Sequence, residues 1–305
     1  MDLFAQQLVD GLTLGSVYAL IALGYTLIYG VLQLLNFAHG DVYMVGAFIG
    51  FFVMTWLGGP EAAIVPIWVM ITLMFLAAML GAGILGVLVE RFAYRPLRDS
   101  PRIAPLISAL GVSLFLQNCV LLLLGSRYRS YDTSKYIDTT GGLHLGPVSI
   151  DWMRLLVIVL AIALMLLLTK LVGHTRLGRG MRAIAYDREA AVMMGIDVDR
   201  VVVGTFFVAS ALAGAAGVMV GLVFFNVYSY MGFLAGLKGF SAAVIGGIGS
   251  IPGAMLGGIL IGVLESFTAV YLSANFASVL TFLLLITVML LKPRGLLGRA
   301  AIVKV

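Results

Sequence analysis

The side chains able to bind, titrate or coordinate sit in a few places within a very apolar sequence. Asn36, His39 and Asp41 interrupt two apolar runs in the stretch LLNFAHGDVY. Gln117 and Asn118 stand together near the end of another run, Glu265 lies well inside a later one, and Lys238 opens a short glycine-rich element. Polar groups in such settings either line a path or tie helices together by hydrogen bonds, and for Asn36, His39, Gln117, Asn118 and Glu265 both readings stay open. Gln117 and Asn118, being adjacent on a helix, must point to different faces. One lone carboxylate, Glu265, is thin provision for an ion-driven carrier, which needs several buried ionisable groups.

Other chemistry is missing. His39, His144 and His174 fall in three separate polar breaks with no metal-ligand spacing, and Cys119 is the single cysteine, so no metal site is expected. No lysine is followed by serine or threonine, which excludes a phosphate-binding P-loop. No serine occupies a nucleophile elbow. The chain is expected to have no catalytic residues and no cofactor of its own, so it is not read as an enzyme.

These residues must be positioned by membrane helices. Hydrophobic residues make up 62% of the sequence and charged residues 11%, against roughly 45–50% and 25% in soluble domains. No lysine or arginine precedes Arg91. The apolar runs are unbroken rather than alternating, which excludes an outer-membrane barrel. The net charge of +5 marks membrane sidedness rather than a nucleic-acid surface. The first run lacks a basic leader segment and is expected to stay in the fold.

The expected class is all-α, a single polytopic transmembrane domain over residues 1–305. Candidate spans are residues 12–33, 37–57, 63–89, 104–124, 152–172, 201–225, 253–272 and 276–291. Residues 90–103, 170–200 and the tail hold fourteen of the nineteen basic residues. That places them in the cytoplasm, the N-terminus and the 125–151 loop outside, and the C-terminus inside. Parity then requires one more crossing, assigned to the short or broken element 238–250, for about eight full spans plus one.

Glycine marks the contacts. Gly217 and Gly221, Gly253 and Gly257, and Gly258 and Gly262 are spaced four apart, the interval that lets helix backbones approach closely. Gly246, Gly247, Gly249, Pro252 and Gly253 disfavour a continuous helix, so a hinge or a path-facing unwound segment competes there with simple packing.

The polar stretch of residues 174–200 holds a short capped helix. Asp187 is placed to cap it, Glu189 complements its dipole, Ala190 and Ala191 favour it, and Gly195 ends it. Joined to spans at both ends, it has the shape of a lever, although an ordinary connector anchored by arginines would look the same.

The run Asp187-Arg188-Glu189-Ala190-Ala191-Val192-Met193-Met194-Gly195-Ile196 resembles the EAA signature of bacterial ABC importer permeases. LTLGSVYALIALGYTLIYGV, LNFAHGDVYM, ERFAYRPLR, LISALGVSLFLQN, GFSAAVIGGIGSIPGAMLGG and LKPRGLLGR extend the resemblance along nearly the whole chain, to branched-chain amino acid permeases of the LivH/BraD type. The resemblance implies a multi-pass subunit of a bacterial inner membrane. It also implies a heterodimer with a second homologous permease, two ATP-binding subunits below and a periplasmic substrate-binding protein above. Leucine, isoleucine and valine are the implied cargo, and Asp187, Glu189, Ala190, Ala191 and Gly195 the implied coupling residues. A urea or amide importer permease of the same broad family is the alternative, and an ion-coupled secondary carrier the alternative from another class.

Overall fold

The computed structural model describes residues 2–58, 65–98, 100–101, 103–131, 142–145 and 148–298. Ala63, Arg102, Arg299, Lys304 and residues 132–141 and 146–147 of the expected outer loop lie outside the described residues, so readings that rest on them go no further here. Among the described residues the apolar runs form eleven α-helices: α1 (Asp2–Leu32), α2 (His39–Trp56), α3 (Ile67–Val89), α4 (Ile103–Leu124), α5 (Trp152–His174), α6 (Arg176–Tyr186), α7 (Arg188–Met193), α8 (Val198–Phe224), α9 (Met231–Gly246), α10 (Ile251–Thr268) and α11 (Ala274–Leu291). Four short strands are β1 (Arg129–Ser130), β2 (Gly142–Leu145), β3 (Val148–Asp151) and β4 (Asn226–Val227). β2 and β3 form a hairpin, and β1 pairs antiparallel with β4, Arg129 opposite Val227.

Six stretches are long and apolar enough to cross a bilayer, fewer than the eight expected. There are two physical reasons. The stretch Ile251–Leu291 counts once but contains both α10 and α11. Its helix breaks at Ser273, where extended backbone (φ −173°, ψ 149°) and a side-chain cap on the Asn275 N–H start α11 afresh. α2 carries His39 and Asp41 in its first turn and has 18 residues, about 27 Å against a hydrocarbon core of about 30 Å. The short element expected at residues 238–250 proves longer and earlier: α9 begins at Met231 and ends at Gly246.

α8 and the middle of α1 form the buried centre, with α2, α9 and α10 packed around them. α3, α4, α5 and α11 turn large apolar side chains outward, among them Leu76, Leu114, Leu122, Leu166 and Leu290. A helix apolar on its outer face suits lipid, not water.

Small residues set the inner contacts. A Cβ on Gly15 of α1 would lie 2.7 Å from the Ile259 Cα of α10, and Gly258 and Gly262 of α10 meet Ala19 and Gly15 in turn. Gly217 of α8 faces the α2 backbone at Tyr43 and Ala47, and Gly257 of α10 faces the Ala242 carbonyl of α9. Such approach supplies the dispersion contact that lipid cannot drive by exclusion.

Gly15→Leu is therefore expected to force α1 from α10, at a cost on the order of 1–3 kcal/mol, and to lower the melting temperature in detergent. Gly30→Ala, at a position of the same helix with nothing within 4 Å of the added carbon, leaves it unchanged or slightly raised. Equal melting of the two variants refutes the packing assignment.

Candidate functional site

Two regions collect the residues with functional promise. The first is the polar stretch after α5. Where one short helix was expected, two occur. Thr175 caps α6 by accepting the Gly178 N–H at 3.0 Å, and the face of α6 carrying Met181 and Ile184 is buried. Arg182 of α6 donates back to the Val172 carbonyl at the end of α5. The extra helix escaped the sequence reading because its three arginines and two interior glycines mask an apolar stripe of few residues.

α7 is the helix read from the sequence. The Asp187 carboxylate accepts the N–H groups of Glu189 and Ala190 at 3.0 and 3.1 Å. At the other end the Ile196 N–H donates to the Ala191 carbonyl and the Gly195 N–H to Val192, with Gly195 at φ +79°. That pair of bonds is a Schellman ending, which needs glycine at this φ. Ala191 is buried, Ala190 half-buried and Glu189 exposed. Val192, Met193 and Met194 are 56, 80 and 82% exposed, so a six-residue helix capped at both ends presents an uncovered apolar edge.

The second region lies inside the bundle, where the first turns of α2 and α9 meet. A Cβ on Gly40 would lie 2.7 Å from the Gly236 Cα, and one on Gly232 2.7 Å from an Asp41 carboxylate oxygen. Both helices thus begin at one point, and their positive ends face the fully buried Asp41. The Asp41 Oδ1 accepts the Gln117 side-chain N–H at 3.0 Å, and Gln117 also reaches the Ser113 hydroxyl. His39 packs against Gly24 and meets the edge of the Tyr25 ring at 4.9 Å between centroids. Asn36 turns the chain into α2 by accepting the Ala38 N–H at 3.1 Å. Asn118 points away, exposed, and bonds the Leu114 carbonyl of its own helix. The structure thus brings Asn36, His39 and Gln117 to one junction and leaves Asn118 and Glu265 out of it.

Glu265 of α10 pairs instead with Lys238 of α9, whose ammonium lies 5.8 Å from the Tyr18 ring centre. Glu265 is also among the residues lining a cavity of about 330 Å³ that includes Asp10, Thr13 and Arg154. Gly246, Gly247, Gly249, Pro252 and Gly253 form the turn from α9 to α10. Gly247 and Gly249 have φ +110° and +87°, Ser250 caps α10, and Pro252 sits in its first turn, where a missing N–H costs nothing. The carbonyls of Ile245 and Gly246 accept the N–H groups of Leu296 and Leu297, so the segment after α11 closes this helix end.

Several contributors were missed. Asp41 was seen only as part of a polar break. Tyr131, just after α4, sends its ring between Gly50 of α2 and Gly221 of α8 and donates to the Ala47 carbonyl. A lone tyrosine in a polar loop gives no sequence signal for such insertion.

Replacing Asp187 by alanine is expected to remove a cap of about 1 kcal/mol. The amide hydrogens of Glu189 and Ala190 then exchange about fivefold faster, with the spans unaffected. Unchanged exchange at those two amides counts against the cap.

The family model described as "Branched-chain amino acid transport system / permease component" matches residues 7–289. LivH of Salmonella typhimurium, named a high-affinity branched-chain amino acid transport system permease protein, is 43% identical, covering 99% of this chain and 98% of its own. BraD of Pseudomonas aeruginosa, similarly named, shows the same identity and coverage. A probable LivH of Methanocaldococcus jannaschii is 28% identical over 97% of this chain and 94% of its own. No solved structure matches. With a family model spanning nearly all of its helices and relatives aligned end to end, the chain belongs to the branched-chain amino acid transport permease family.

Proposed function

We propose that this chain is one permease subunit of an importer for leucine, isoleucine and valine, driven by ATP hydrolysis on separate subunits. The observation that carries the reading is α7: a rigid helix capped at both ends, with Val192, Met193 and Met194 uncovered, in a chain whose relatives are named branched-chain amino acid permeases. Asp187, Glu189, Ala190, Ala191 and Gly195 shape and present that edge to an ATP-binding subunit. α6, packed on α5, α8 and α1, ties its other side to the bundle.

Charge supports an orientation. Residues 90–98 meet the start of α8 through Arg95, Arg98 and Asp199, and the segment after α11 meets the end of α9. The basic segments thus gather at one end, which the positive-inside preference assigns to the cytoplasm. The N-terminus and the 125–151 loop then lie outside, where a substrate-binding protein docks. α1, α2, α3, α4, α5, α8, α9, α10 and α11 make nine crossings, with α2 and α9 the short ones. Short helices that meet inside a bundle are the pattern of transport proteins that open alternately to either side. A second, homologous permease supplies the other half of the path in an inner membrane.

The test is uptake by proteoliposomes holding both permeases, the ATP-binding subunits and the binding protein. Labelled leucine accumulates only with ATP, excess valine competes and urea does not. Glu189→Lys and Gly195→Asp leave insertion intact and reduce uptake to background; the second forces a side chain onto φ +79° and adds like charge beside the helix end. Accumulation by this chain alone under an ion gradient, or full uptake by Gly195→Asp, overturns the reading.

A further inference from the structure

The stretch ERFAYRPLR has no part in α7, yet it holds the most heavily charged contact of the bundle. α3 ends at Val89 in a π turn, Glu90–Tyr94, followed by a 3-10 turn, Arg95–Leu97. Arg98, 7% exposed at its side chain, bridges two carboxylates: fully buried Glu90 behind it and Asp199 in the first turn of α8. Arg95 grips the other oxygen of Asp199. Asp199 lies four residues beyond the Gly195 that ends α7, and Asp197 caps α8 in between by accepting the Arg200 N–H at 3.1 Å. Little slack separates α7 from this grip.

The same turn holds a second element. The Tyr94 ring packs on Phe206 of α8, 5.3 Å between centroids, and its hydroxyl donates to the Leu35 carbonyl at 3.0 Å. Leu35 lies in the connector between α1 and α2, next to Asn36, which turns the chain into His39 and Asp41. One short bracket therefore grips the base of α8 with its arginines and the entry to α2 with its tyrosine. The buried ion pair is weak evidence for stability, since apolar side chains of similar volume would serve as well. It does fix the position of three elements relative to one another.

We propose that Arg98 and Tyr94 are positioning residues that carry displacement of α7 to the start of α2, and so to the intramembrane junction at Asp41. The proposal rests on the coupling role given to α7 above. A shift of α7 moves Asp199, Asp199 moves Arg98 and its turn, and Tyr94 pulls the Leu35 connector. Such relays act when packed elements have two discrete arrangements, and only measured coupling between their members establishes them.

Tyr94→Phe removes one hydroxyl and keeps the ring; Asp199→Asn removes one charge and keeps the shape. In proteoliposomes of the full complex, leucine transported per ATP hydrolysed is expected to fall about fivefold in each, the worth of one hydrogen bond, with hydrolysis per complex retained. Members of one relay are not additive, so the double variant falls no further than the worse single one. The relay is overturned if either single variant keeps the normal ratio, if transport and hydrolysis fall in proportion, or if the double variant falls by the product of the two. Gly195→Asp run alongside separates the readings: full uptake there fails the coupling role itself, while lost uptake there with normal Tyr94→Phe and Asp199→Asn ratios fails only the relay.

Discussion

Contact between helix backbones at glycine is the constraint on which this bundle depends. A protein core offers apolar side chains nothing that they lack in lipid, so helices must gain their association from close fit and polar bonds. Gly15 against Ile259, Gly262 against Gly15, and Gly40 against Gly236 bring main chains together where any larger residue would part them. The third contact does more than pack. It sets the first turns of α2 and α9 against each other and places Asp41 where two helix ends favour a negative charge.

Charged groups inside the bundle follow a matching economy. Asp10 pairs with Arg154, Lys238 with Glu265, and Arg98 with Glu90 and Asp199. Asp10–Arg154 and Arg98–Asp199 join elements more than 100 residues apart in sequence, whereas Arg98–Glu90 and Lys238–Glu265 are the buried pairs, in which removing one partner leaves a charge with little water to take its place. These pairs fix geometry at the two ends and along the α9–α10 face, whereas the Asp41–Gln117 bond holds the middle with an amide.

Much of this was legible in the sequence. Composition excluded a soluble fold, four-residue glycine spacing marked the contacts at Gly217, Gly257, Gly258 and Gly262, and Asp187 with Gly195 defined α7 at both ends, because caps are local chemistry. Gln117 and Asn118 parted to different faces as helical geometry requires. The start of α9 was misplaced, since the residue before Met231, Tyr230, supplies no capping side chain. The break at Ser273 hid within a continuously apolar stretch. The partners of Glu265, Tyr94 and Tyr131 were beyond reach for a plainer reason: they depend on which helices touch, and no local pattern encodes that.

The segment after α11 has a consequence for how the protein is made. The terminal carbonyls of α9 at Ile245 and Gly246 find their partners in Leu296 and Leu297, which the ribosome supplies only after α10 and α11 have been threaded. Until then α9 has an open end, and the hairpin that it forms with α10 lacks its lock. The end of α9 is therefore complete only once α10, α11 and the segment after α11 are all in place.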